Sequence, residues 1–583
     1  MASHWKLGTF LFLVAGSIGL ASPAQAQGFG SAGMASGRFN GSSQINGTEA
    51  FLIAAPFNTP GQVRLFQPTG SNQFVATAFF ESSLAGSVFS GAPKPPNSAG
   101  NFGFAMAVGD FNGDGFKDLA MSAPYETVGG QQGAGAVNIL FGQSASGPLG
   151  TNFQQQTVFL TRSNTYADIL PNQPQAGDHF GFALAAGDFN GDGYDDLAVG
   201  APDVTVNGNA SAGAVFLFYS QPAQPTSSGA NPPSVFSSNV EWTLIQGGGY
   251  GGGIGQPAAY AAFGYSLNAG NFNGDFSSGK SPSFPGTTGT STQAPTGRGP
   301  SGRFDVRDLA VGVPFEDVNG VSSAGAVDVY YGPIGNTSGA LSTVALSMPT
   351  PQSSSEFGIS LAAADFNASC AGGPSICSAG SAGLYDDLAI GAPYATVANA
   401  QAAGAVYVFY GAPTTTGGLN EANNQFWTSY TAGGQTSTLG GNFGASLAAG
   451  LVINSSALNG GCQGQGCNPQ DLIIGEPYRS TGAGAYSGIV YILAGQVPPN
   501  TTTLDQRYWL TSKNTPSPIN GTAAYAYAGE SLATGYNSIP ANWDPTLRIE
   551  DILIGEPGIN TVDMQYGGTG FFTTGSHRLF PWP

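Results

Sequence analysis

Charged side chains are scarce. Only 8% of the 583 residues are Asp, Glu, Lys or Arg, against about 25% in ordinary soluble domains. The charges present are unbalanced, 15 basic against 34 acidic, for a formal net charge of −19. That balance disfavours nucleic acid and anionic membrane surfaces as partners, and it suits a chain that carries bound cations. Histidine is nearly absent, with three in all, so a histidine-dependent nucleophilic mechanism is hard to assemble. No Gly-x-Ser-x-Gly elbow, His-Glu-x-x-His pair or P-loop occurs either. The glycine-rich run at 247–253 lacks the Lys-Ser/Thr that phosphate binding needs and reads as a loop.

Long apolar runs are missing apart from one, Leu7 to Ala21. Lys6 precedes it and Ala24-Gln25-Ala26 follows, the order of a secretory signal peptide over residues 1–26. The run is shorter than the roughly 20 residues a membrane span requires. The mature product is therefore expected to be soluble, with no membrane span, and either secreted and extracellular or periplasmic. Cysteine is limited to Cys370, Cys377, Cys462 and Cys467, two close pairs inside Gly/Ser-rich insertions. In an exported chain these read as two small-loop disulfides, Cys370–Cys377 and Cys462–Cys467. A four-cysteine zinc site is the alternative, without C-x₂-C spacing or a nearby histidine to favour it.

What the chain has in quantity is glycine (90), proline (39) and Phe plus Tyr (60 together). They recur at fixed places. One unit runs Phe102-Gly103, then Gly109-Asp110-Phe111-Asn112-Gly113-Asp114-Gly115-Phe116-Lys117-Asp118, then an apolar stretch to Ala123-Pro124. The next repeats it from Phe180-Gly181 through Gly187-Asp188-Phe189-Asn190-Gly191-Asp192-Gly193-Tyr194-Asp195-Asp196 to Gly200-Ala201-Pro202. Each continues into Ala-Gly-Ala-Val and alternating hydrophobics, and a weaker fourth strand-like run follows. Every piece is short and bounded by Gly, Pro, Asn or Ser, so each reads as a β-strand. No helical period is sustained in the mature chain.

Degraded copies give seven repeats, at approximately 28–80, 101–162, 179–246, 262–348, 356–432, 442–512 and 526–580. In the last, little chain follows the third strand, so a fourth is not expected. Successive openings from Phe102 onward lie 78, 83, 94, 86 and 84 residues apart. Four short strands per unit in a ring of units bury faces that one sheet could not, which predicts an all-β, seven-bladed β-propeller.

The loops carry the clearest chemistry. Asp110, Asn112, Asp114, the Phe116 carbonyl and Asp118 place oxygens at positions 1, 3, 5, 7 and 9. Asp188, Asn190, Asp192, the Tyr194 carbonyl and Asp196 repeat the set. Hard oxygens in a flexible loop favour Ca²⁺. An EF-hand is excluded, since position 12 is Met121 or Val199 rather than Glu. Two further sites are altered. Asn271, Asn273 and Asp275 are separated by an insertion from Asp308, with Asp305 as a spare ligand. Asp365 and Asn367 are separated from Asp387 by the Cys370/Cys377 insertion. Arg38, Leu451 and Tyr536 replace the first acid in the remaining repeats, where no calcium is expected.

The Phe-Gly openings, Gly-Ala-Pro closings and Asp-x-Asn-x-Asp-Gly-x-x-Asp loops resemble the FG-GAP repeat proteins, the family that includes the propeller head of integrin α chains. The resemblance implies structural calcium on one face and ligand binding elsewhere. It implies a non-enzymatic, monomeric adhesion or binding module for an extracellular protein or glycan, with cell-surface association. A secreted polysaccharide-degrading enzyme on the same scaffold is the alternative.

Overall fold

The computed structural model describes residues 34–37, 50–56, 61–70, 73–80, 100–113, 117–142, 157–165, 169–220, 236–249, 255–275, 306–334, 342–367, 385–412, 418–419, 421, 424–452, 469–495, 510–511, 519–520, 524–535, 551–557, 561–565 and 576–579. The signal-peptide reading, all four cysteines, Asp114, Phe116 and Asp305 lie outside these residues.

The strands sort into antiparallel sheets in which sequence neighbours pair side by side: 34–80, 106–160, 183–249, 266–347, 360–427, 446–520 and 532–579. Five of them are four-stranded, and the sheet at 183–249 adds a two-residue fifth strand to its four. In the sheet at 446–520 the fourth position is split between Leu510–Thr511 and Ile519–Asn520, both paired with Ile489–Gly495. The architecture is thus an all-β β-propeller with six four-stranded blades, where the sequence predicts seven of one kind. The last sheet departs in the other direction. Its fourth strand, Ser576–Leu579, pairs with Thr561–Gln565, although little chain was expected to serve there.

The second strand of each sheet explains the repeat. Asp118–Ala123, Asp196–Ala201, Asp308–Val313, Asp387–Ala392 and Asp471–Glu476 are buried at all six positions. A strand covered on both faces reads as a continuous apolar run rather than an alternation. Apolar clusters fill the space between consecutive sheets, as Val199, Phe216 and Phe218 do with Ile139 and Leu160. Another cluster joins the last sheet to the first through Leu553, Ala533, Phe51 and Ile53.

The glycines of the motif sit at the seams. The Phe-Gly N–H donates within its own blade, as from Gly358 to the Gly391 carbonyl at 3.0 Å. Its carbonyl presses on the blade before it: a Cβ at Gly312 would stand 2.2 Å from the Gly358 oxygen. The preceding Phe is tied to the same neighbour, Phe357 donating its N–H to the Ala324 carbonyl at 3.1 Å. Gly312→Val is therefore expected to force two blades apart, with a loss of about 3 kcal/mol or more, the scale of severe overpacking. Denaturant unfolding measures it, and an unchanged midpoint would contradict this packing.

Candidate metal loops and the aspartates beneath them

Each acidic loop joins the innermost strand of a blade to the second. The loop at 188–196 is described throughout. Asp188 Oδ1 accepts from the Gly191 and Asp192 N–H groups at 2.7 and 3.0 Å, and Oδ2 from Gly193 at 2.7 Å. Asn190 Oδ1 accepts from Asp192 N–H at 2.8 Å, and its amide donates to Asp192 Oδ2 at 3.2 Å. Asp192 Oδ1 accepts from Tyr194 N–H at 3.0 Å. The Tyr194 ring does something the sequence did not indicate: it covers the preceding blade's loop, where a Cβ at Gly113 would fall 2.1 Å from it.

The ninth position has a role beyond any metal. Asp196 accepts from Phe189 N–H at 3.0 Å and from Ser220 N–H at 2.8 Å, one bond to each oxygen. Asp118 does the same with Phe111 and Gly142, both at 2.8 Å. Asp308 bridges Phe272 and Gly332, and Asp387 bridges Phe366 and Gly411. Asp471 bridges Val452 and Gly495 at 2.9 and 3.0 Å, in a blade where no calcium was expected. All five are fully buried. This aspartate ties the loop to the end of the third strand in every described case, with or without a complete loop. A carboxylate oxygen has a second lone pair, so the bridge leaves room for a metal bond.

Electrostatics favour a cation at 188–196. Burial, then the Asp192 charge, pushes Asp188 up to about 7. Burial raises Asp192 as well, and burial with the Asp192 and Asp188 charges raises Asp196 well above the usual carboxylate range. No three His, Cys, Asp or Glu side chains among the described residues are gathered as a metal-ligand group. The donor set nevertheless fits a hard cation: carboxylate and amide oxygens only, destabilised by one another's charge. Asp188, Asn190, Asp192, Asp196 and the Tyr194 carbonyl would hold it.

The metal-free form carries a pH signature. A carboxyl whose folded pKa is raised binds its proton more tightly when folded. It then supports folding fully below the unfolded value near 4 and loses that support as pH rises toward 7. In chelator, the melting temperature is expected to rise as pH falls from 7 to 5. A fall across that window would contradict the crowding of these acids.

The other candidates fall as follows. In the first loop Asp110, Asn112 and Asp118 are described, and Asn112 is buried. Asn271 Oδ1 and Asn273 Oδ1 both accept from Asp275 N–H at 3.0 Å, and the Asn273 amide donates to Asp275 Oδ2 at 2.7 Å. Asn367 is buried, and Asp387 is pushed well up by burial and then by Asp365. The structure thus brings each loop's described ligands to one end of its blade.

Sequence reasoning missed the eighth loop position. Asp195 Oδ2 accepts from Lys117 Nζ and from Asp110 N–H, both at 2.8 Å, across the blade seam. Asp386 Oδ2 repeats this two blades on, with Arg307 Nη1 at 2.6 Å and Asn271 N–H at 2.9 Å. Burial alone would raise Asp195, but Lys117 and the Asp110 N–H outweigh it and hold the group below its ordinary value. The alternation Lys117, Asp195, Arg307, Asp386 along the repeat was the available signal. His179, at a blade opening, pairs through Nδ1 with Asp203 Oδ2 at 2.7 Å and packs on Tyr125, as a loop residue.

The family model of the FG-GAP repeat matches residues 102–140 and 180–218. Integrin alpha-PS2 of Drosophila melanogaster is 38% identical over 145 residues, 24% of this chain and 9% of that protein. Integrin alpha-E of Mus musculus is 37% identical over 165 residues, 27% and 12%. The phosphatidylinositol-glycan-specific phospholipase D of Bos taurus is 32% identical over 146 residues, 24% and 16%. The chain spans less than a fifth of the length of each of these relatives. Among solved structures, the V. cholerae biofilm matrix protein Bap1 aligns over 92% of this chain and 71% of its own, at 12% identity and a TM-score of 0.22, too low to carry an argument. The blades at 106–160 and 183–249 thus carry the FG-GAP repeat, and over about a quarter of its length the chain resembles the integrin alpha chains.

Proposed function

We propose that this chain is an exported, calcium-stabilised, seven-bladed propeller that serves as an adhesion or binding module for an extracellular protein or glycan. Seven blades require the sheet at 446–520 to count as one despite its split fourth strand. The innermost strands support that count. Each touches the next in chain order, and Met34–Gly37 touches Leu532–Gly535. Ser36 Oγ also donates to the Thr534 carbonyl at 2.8 Å across that junction. Similarity to integrin alpha chains supports the export and adhesion parts of the reading.

One observation carries the binding role. At the Phe-Gly end of the innermost strands, away from the acidic loops, a row of half-buried aromatic rings, with Phe182 buried among them, crosses three blades. Tyr125 to Phe104, Phe104 to Phe182, Phe182 to Tyr265 and Tyr265 to Phe315 are 6.1, 4.9, 4.8 and 5.7 Å apart between centroids. Aromatic faces suit sugar rings and the apolar or cationic side chains of a protein. Capture of partners from extracellular material by the mature chain, in calcium and in chelator, tests this. Phe104→Ala and Tyr265→Ala are expected to lose the captured partner while the fold persists, and unchanged capture by both would reject the surface.

The enzymatic reading has one observation in its favour. Glu530, near Tyr394, Tyr478 and Tyr527, is pushed up to about 7 by burial. A carboxyl protonated near neutrality is what a general acid requires. Polysaccharide turnover that disappears in Glu530→Gln would replace the binding-only reading.

A further inference from the structure

The junctions between blades hold a second place where charge is buried, on the third strands and away from the acidic loops. Register fixes it. Val137 pairs with Leu160, Val215 with Leu244, Val327 with Leu346 and Val406 with Trp427. Two residues beyond each outer partner stand Arg162, Gln246, Met348 and Ser429. At the equivalent position of the next blade's third strand stand Phe216, Asp328, Tyr407 and Tyr491.

In three of these junctions no charge among the described residues is left without an oppositely charged partner. Arg162, buried, pairs with Asp178 at 2.6 Å and lies 5.7 Å from the Phe216 ring centroid. Met348 and Tyr407 share an apolar cluster. Ser429 donates to Glu476 at 3.0 Å; Glu476 also accepts from the Tyr491 hydroxyl and pairs with Arg479 at 3.3 Å.

The junction between 183–249 and 266–347 differs. Gln246 Nε2 donates to Glu316 Oε2 at 3.1 Å across the seam. Asp328 and Gln246 are 2% and 3% exposed, and Tyr330, on the same strand face as Asp328, is 1% exposed. Asp328 Oδ2, Gln246 Oε1 and the Tyr330 hydroxyl have no hydrogen-bond partner among the described residues. No basic side chain among those residues pairs with Glu316 or Asp328. Tyr330 lies in an apolar cluster with Val311, Val313, Leu217 and Leu244, and Val311 is the cross-strand partner of Asp328. Burial pushes the Asp328 carboxyl well up, and the Glu316 charge raises it further. A buried carboxylate in apolar surroundings must be neutralised or paired. Two other junctions show what is missing, since Arg162 pairs with Asp178 and Arg479 with Glu476 there.

We propose that a divalent cation is held between these two blades by Glu316, Asp328 and the Gln246 amide oxygen, with the Tyr330 hydroxyl beside them. Two carboxylates, an amide and a phenol are all hard oxygen donors, and a seam between blades imposes no strict octahedron, so Ca²⁺ is the fitting ion. The site owes nothing to the acidic loops and stands whether or not they bind metal.

Calcium stoichiometry by equilibrium dialysis on the full chain decides it, using the parent, Asp328→Asn, Asp188→Asn and the double variant. Asp328→Asn is expected to bind one ion fewer than the parent, and to remove one more in the Asp188→Asn background. Asp328→Asn binding as many ions as the parent would overturn the proposal. An unchanged count in Asp188→Asn alone would instead count against the loop. Should Asp328→Asn not fold, Glu316→Gln carries the same readout with the same two outcomes.

Discussion

Asp471→Ala is expected to lower the unfolding free energy by about 2–5 kcal/mol, the cost of leaving two buried N–H groups without their acceptors, and to do so equally in calcium and in chelator. Its two oxygens hold Val452 N–H at 2.9 Å and Gly495 N–H at 3.0 Å, in a fully buried position. Alanine removes both acceptors at once and opens a gap beneath the second strand. Asp471 is the clean test of this bridge, because Leu451 stands where its loop would need the first acid. The same change at Asp196 would mix the loss of the bridge with any loss of metal. Thermal or denaturant unfolding measures the effect. An Asp471→Ala protein as stable as the parent would show that the bridge contributes nothing.

Asp188→Asn is expected to do the opposite: to matter in calcium and nearly vanish as a difference in chelator. The amide oxygen can keep the Gly191 and Asp192 N–H bonds that Asp188 Oδ1 accepts at 2.7 and 3.0 Å. The charge that would attract a cation is gone. An ion that binds only the folded state stabilises by about 2.7 kcal/mol at a hundred times its dissociation constant, and the variant forfeits that gain. Without calcium, the Gly193 N–H loses the Oδ2 acceptor it holds at 2.7 Å, and relief of one of three crowded acids offsets that loss, since burial and Asp192 already push Asp188 up to about 7. A deficit of the same size in calcium and in chelator would reject the metal reading for this loop.

Much of the fold was legible because the repeat displays it several times. Asp-Leu-Ala-Val-Gly-Ala at 196–201 reads as a strand buried on both faces, and it is buried throughout. The blade boundaries followed from the Phe-Gly openings. Less regular strands were not legible. Ser576–Leu579 follows a glycine-rich stretch with no apolar alternation, and its place is set by pairing with Thr561–Gln565. The split fourth strand near 510 and 519 follows the same logic, since outer strands are defined by their partner more than by their own pattern.

The sites were legible in part. The acidic loops declared their ligands by spacing. The bridging role of the ninth aspartate was hidden under that reading, although its persistence as Asp471 in a blade without the loop was a clue in plain view. Contacts across seams left at most a trace, the alternating charge at the eighth loop position: Lys117 meets Asp195, 78 residues on, because two blades stack. Gln246 and Glu316 meet for the same reason.

Thermal unfolding of the chain across a calcium titration, from chelator to saturation, tests the central claim most directly. The account predicts a melting temperature that climbs with calcium and levels off once the sites fill. One melting temperature across the whole titration would contradict it.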